Sequence, residues 1–192
     1  MTSTNRRKRL ALAAIIALLA GLAPALSQLD HSFMPKGGKA LLIEVLGSPA
    51  DAKELLSILS AKRTETEWRQ AMAGRTKHLS EREQQTLAAY LAINMPVPDP
   101  EQAVAKATRR EELEAALPRD GRDLGFFECQ YCHSLFTSHL TQERSYQAWM
   151  NMFESPFHRE LKMTRQEREE FSRYSELNMP MKIEDVPPDL RF

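Results

Sequence analysis

Cysteine is almost missing from this sequence: two residues in 192, at positions 129 and 132. At most one intramolecular disulfide is available, so the fold rests on a packed core. Glycine is scarce too, with seven residues, while Ala, Leu, Glu, Arg and Gln abound. That balance favours helix over sheet, and an all-α fold is expected. Net charge is absent overall, with 26 basic and 26 acidic side chains. There is no basic stripe, which leaves nucleic-acid binding without electrostatic support. The chain also lacks a glycine-rich phosphate loop, a defensible Ser/His/Asp order and a carboxylate pair set apart from charged helix faces. The runs RREELEAAL and RQEREEF read as solvated helix surface.

The zero net charge hides a division. Residues 1–27 contain Arg6, Arg7, Lys8 and Arg9 and no acid, followed by a small-and-apolar run over 10–22 and then Ala23, Pro24, Ala25, Leu26 and Ser27. A basic head, an apolar middle and small residues spell a secretory signal peptide over 1–27, cut after Ala25 or Ser27. The 13 apolar residues fall short of the ~20 that a membrane span needs. An uncleaved N-terminal anchor is the alternative, and only then would the protein touch a membrane. Without this segment 22 basic residues face 26 acidic ones, a charge of about −4. A periplasmic protein is expected.

The two cysteines stand in Cys129-Gln130-Tyr131-Cys132-His133, the C-x-x-C-H pattern of covalent haem attachment. Two thiols three positions apart on one helical turn can add across the two vinyl groups of one haem edge. The adjacent His133 is then placed to ligate the iron. Competing readings fit less of the pattern. A disulfide would close a very small loop and would not need His133. A thioredoxin-like pair would follow a strand in a βαβ unit, and none is visible. A zinc site needs about four ligands; Cys129, Cys132, His139 and His158 could supply them, but there is no second cysteine pair.

From about residue 120 onward the chain resembles a small c-type cytochrome domain. The likeness rests on GRDLGFFECQYCHSL, then YQAW, then TRQEREEFSRYSEL, and only the pentad is diagnostic. It implies one covalent haem c on Cys129 and Cys132, with His133 as axial ligand. It also implies a helix leading into the motif and a final helix packing across it.

An internal repeat extends this reading. LSEREQQTLAAYLAINMPV (79–97) aligns with MTRQEREEFSRYSELNMPM (163–181) at a constant offset of 84, with five identities. Each opens on a capping box, Ser80/Glu83 and Thr164/Glu167. Each places apolar residues on one face, Leu87, Tyr90 and Leu91 in one and Phe171, Tyr174 and Leu177 in the other. Each ends Asn-Met-Pro, where proline stops the helix. A tryptophan precedes each copy, Trp68 and Trp149. The expected architecture is two tandem cytochrome c-like helical domains, the first (28–98) without haem because no cysteine precedes residue 129, the second (120–192) with one. Residues 99–119 form a charged helical linker, with a helix from about 101 to 117, and the tail IEDVPPDLRF reads as an extended surface segment.

The second axial ligand is less legible. His139, Met150, Met152, His158, Met163, Met179 and Met181 follow His133. His139 is too near in sequence to reach the far haem face, Met163 fits a hydrophobic staple, and Met179 and Met181 lie at the exit of the last helix. Met152 is the preferred ligand, with Met150 and His158 as alternatives. Trp149, Tyr131, Phe126 and Phe127 are read as pocket packing. The expected function is single-electron transfer between periplasmic redox partners, as a subunit or dedicated acceptor of a dehydrogenase. The alternative is a haem sensor or small peroxidase with an open distal site.

Overall fold

The computed structural model describes residues 31–47, 51–107, 109–130 and 132–192. The signal-peptide expectation for 1–27 and the role of Tyr131 lie outside the described residues. Residues 31–192 form one compact unit, all helical and without a strand among the described residues. No helix among them is long and apolar enough to cross a membrane.

Helices α1 (Gly38–Leu46), α2 (Ala52–Ser60), α3 (Glu65–Met72) and α4 (Glu81–Asn94) make up the first half. Helices α5 (Pro100–Lys106) and α6 (Arg110–Ala116) follow. The second half has α7 (Gly121–Cys129), a π-helical turn (Phe136–Leu140), α8 (Tyr146–Met152), the short α9 (Pro156–Arg159) and α10 (Arg165–Asn178). The expected single linker helix is therefore two. Ala107 leaves helical geometry, and Arg109 and Glu112 start a new capping box. Nor do these helices hang free: α5 packs on α2 and α6 on α1, and Ala103, Leu113 and Leu117 enter the first half's core. The tail also departs from a simple extended strip. It forms two 3₁₀ turns, Ile183–Asp185 and Pro188–Leu190, and buries Val186 beside Tyr174 and Met179.

The two 14-residue helices α4 and α10 start as the sequence predicts. Both capping boxes are present, with Ser80 and Thr164 each accepting from the backbone N–H three residues on. Each of these helices packs across a nine-residue partner, α4 on α1 and α10 on α7, and the two also pack on each other. The crossings are alike. A Cβ at Gly38 would overlap Tyr90, and one at Gly121 would overlap Tyr174. Glycine is needed at both places because the helices meet through it. Trp68 and Trp149 are fully buried, each with an arginine 4.9 Å over its ring, Arg63 and Arg144.

The seam between the halves is polar and reciprocal. The Tyr90 hydroxyl donates to the Pro118 carbonyl at 2.9 Å, and the Tyr174 hydroxyl to Pro35 at 2.7 Å. The Asn94 amide donates to Glu170 and the Asn178 amide to Thr86, each at 3.0 Å. Arg173 grips Glu65 through two guanidinium nitrogens. Asp120, fully buried, caps its own helix and accepts from the Lys39 backbone N–H of α1 at 3.1 Å. Burial alone would raise the Asp123 carboxyl, but hydrogen bonds from His31 and Lys39 outweigh it and hold the group at about 2.

Candidate functional site

Helix α7 delivers the cysteine motif. Asp120 caps its first turn, Leu124 and Phe126 bury its inner face, and Cys129 is its last residue. Cys129 is half-buried, whereas Cys132 and His133 stand exposed in the turn beyond. The corresponding nine-residue helix α1 ends on Leu46, which is buried in the first half's core. One half thus has an aliphatic side chain where the other has a thiol.

Cys129, Cys132 and His133 line one recess. Its opposite walls come from Trp149 and Met152 of α8, Phe157 and His158 of α9, and Phe171 of α10, with Glu128, Ser138, His139 and Leu161 completing it. The structure thus brings Cys129, Cys132 and His133 together with two of the three candidate second ligands, Met152 and His158. Met150 is half-buried and is not among the lining residues. Phe126 packs in the apolar cluster with Met34 and Tyr174, and Phe127, 37% exposed, packs edge-on against it. Met163 and Met179 are core residues.

The surroundings of Cys129 disfavour its thiolate. Burial, with the neighbouring Glu128 carboxylate second, pushes the Cys129 thiol up to about 12. A reactive redox cysteine needs the opposite, a lowered value that exposes thiolate near neutrality. His139 is fully enclosed, and desolvation drops it to about 3, so it stays neutral. The Ser175 hydroxyl donates to the Phe171 carbonyl at 2.7 Å, so the His139 Nε2–H donates to the Ser175 oxygen at 2.8 Å. The Nδ1 of His139 is left as a bare acceptor. Among the described residues no group of three or more His, Cys, Asp or Glu is arranged to hold a metal ion by protein ligands alone.

Several features fit a porphyrin. The walls are aromatic and aliphatic, with Trp149, Phe171, Met152 and Leu161. Phe157, 88% exposed, adds a further aromatic ring to the recess lining. Two of the six orphaned buried polar atoms among the described residues belong to lining residues: His139 Nδ1 and Trp149 Nε1. Buried groups of this kind ordinarily have partners, and the Trp149 N–H suits an acceptor on a ligand. Trp68, the counterpart of Trp149, is also orphaned, so the indole alone is not specific to this site. The recess encloses about 70 Å³, against about 300–1,000 Å³ for ordinary ligand pockets. Met152 and Leu161, flexible and only partly buried on the adjoining core cluster, are the side chains that would give way.

No family model, curated protein or solved structure matches this chain. The functional reading therefore rests on the motif and on the recess around it.

Sequence reasoning missed the buried polar residues of the seam. Asn94 and Asn178 were visible as the repeated Asn of Asn-Met-Pro, but that motif reads as a helix stop. Their amides in fact bond their own helix carbonyls, Tyr90 and Tyr174, and reach across to the other half. The signal that could have found them is a polar residue held on the apolar stripe in both copies.

Proposed function

We propose that this protein is an exported monohaem c-type cytochrome that carries single electrons between periplasmic redox proteins, as a subunit or dedicated acceptor of a dehydrogenase. The observation that carries the reading is the C-x-x-C-H pentad placed so that both thiols and His133 face one apolar recess. Cys129 and Cys132 would tether the haem through thioether bonds, and His133 would ligate the iron. When bound, the haem supplies a one-electron couple.

The chain's own residues do the rest. Trp149 and Phe171 exclude water from the inner wall, and their burial fixes its shape. Cys132, His133 and Phe157 lie at the surface, so a partner protein would meet the cofactor at that edge. The first half is a haemless cytochrome-like domain. Its core is closed by Leu46 and by the linker residues Ala103, Leu113 and Leu117, and it serves for packing and docking.

The test is expression of the full chain with haem-maturation machinery, followed by intact mass and peroxidase staining on a denaturing gel. A mass excess of one haem and a stained band are expected, both lost in Cys129→Ala/Cys132→Ala. A colourless protein with the mass of the bare polypeptide would overturn the proposal.

A further inference from the structure

We infer that His158 is the second axial ligand of the haem iron, facing His133, so that the site is a bis-imidazole one. The inference rests on the covalent-haem reading above and concerns which of this chain's residues completes it.

Both imidazoles line the recess, with ring centres 6.0 Å apart and planes tilted by 51°. Two imidazole nitrogens bonding one metal atom from opposite sides at about 2.0 Å each stand about 4 Å apart, with each ring centre roughly an ångström further back. A separation of about 6 Å follows. The remaining nitrogen of His158 is already committed. Nδ1 lies 2.8 Å from the Ser155 hydroxyl, which fixes the ring and leaves Nε2 for the metal. A hydrogen bond to the distal ring nitrogen is the usual support of a ligating histidine.

The segment that carries His158 is also held in place. Arg168 on α10 donates to the carbonyls of Arg159 and Leu161 at 3.1 and 3.2 Å, and its guanidinium lies 5.2 Å over the Phe153 ring. Met152 has another role available, since its side chain packs on the core cluster of Leu124, Trp149, Phe153 and Phe171. His139 is engaged with Ser175 through Nε2 and is wedged against Gly125. A methionine sulfur would raise the reduction potential of the couple, and a second imidazole withholds that effect. The electron donor is then a stronger reductant than a histidine–methionine cytochrome would require.

The test uses the full-length holoprotein, after intact mass and haem staining have fixed covalent haem. Near-infrared magnetic circular dichroism and low-temperature electron paramagnetic resonance of the ferric protein read the axial pair. The expected wild-type result is a low-spin bis-imidazole signature without the charge-transfer band of a methionine sulfur. Met152→Ala should leave that signature intact. His158→Ala should abolish it, and added imidazole should restore it. A methionine band in the wild type that vanishes in Met152→Ala would overturn the assignment while leaving the cytochrome reading standing. So would a bis-imidazole signature that survives in His158→Ala. Should His158→Ala fail to fold, the wild-type and Met152→Ala spectra still decide. Absence of haem mass would sink both proposals together.

Discussion

Glu170 should make the protein lose stability as pH rises above neutrality, and Glu170→Gln should remove that loss. Its carboxyl is buried on α10, where it accepts from the Gly121 N–H and from the Asn94 amide, both at 3.0 Å. Burial comes first and the nearby Asp120 second in raising the group from 4.5 to about 8. The folded protein therefore keeps this proton over a range where the unfolded chain has released it. The stability it contributes is fully present below about pH 4.5, declines as pH rises, and is gone above about 8. Linkage sets the slope at up to about 1.4 kcal/mol per pH unit, so the loss between pH 6 and 8 is about 2 kcal/mol. His139 works in the opposite sense. Buried and neutral, it adds stability as pH climbs from about 3 toward 6.5, but it is common to both proteins and cancels in the comparison. The assay is guanidinium unfolding of wild type and Glu170→Gln at pH 5, 6, 7, 8 and 9. The difference between them should shift by about 2 kcal/mol from pH 6 to 8 and level off beyond. A difference that stays constant with pH would show that Glu170 ionises normally, and the argument from burial would fail.

Two further outcomes follow from the packing. Gly121→Ala drives a methyl into Tyr174 and should cost about 1–3 kcal/mol by overpacking. Gly38→Ala should cost a similar amount against Tyr90, and denaturation midpoints unchanged in both variants would refute the close crossing. Arg168→Ala removes the donors that hold the Arg159 and Leu161 carbonyls. Charged hydrogen bonds of this kind are worth about 1.5–3 kcal/mol. Amide hydrogen exchange over residues 156–161 should then speed up about tenfold or more, and unchanged exchange would show that the segment is held by something else.

The helical architecture was legible because its signals are local. Capping boxes at Ser80 and Thr164, and stop signals at Asn-Met-Pro, depend on residues within one turn of each other, and both helices begin and end where these predict. The residues of the candidate site were legible for the same reason, since C-x-x-C-H is a contiguous word. What surrounds it was not. Phe171 lies on the last helix, far along the chain, and reaches the recess only because α10 crosses α7 at Gly121. The partition of 101–117 into two helices was hidden because its charge pattern suits one continuous helix. Contact with α1 and α2, a long-range effect, accompanies the break. The ionisation of Glu170 was the least visible feature. In sequence it is one acid among many on a charged helix, and only burial next to Asp120 sets it apart.

The crossed tyrosine bonds have a practical consequence. Tyr174 finds its acceptor at Pro35 and Asn178 finds its acceptor at Thr86, while Tyr90 depends in turn on Pro118. A fragment beginning near residue 120 would retain the whole pentad yet expose the flank of α10 and leave two donors without their protein acceptors. A piece that keeps these bonds starts upstream of Pro35, and it is the one to express for spectroscopy.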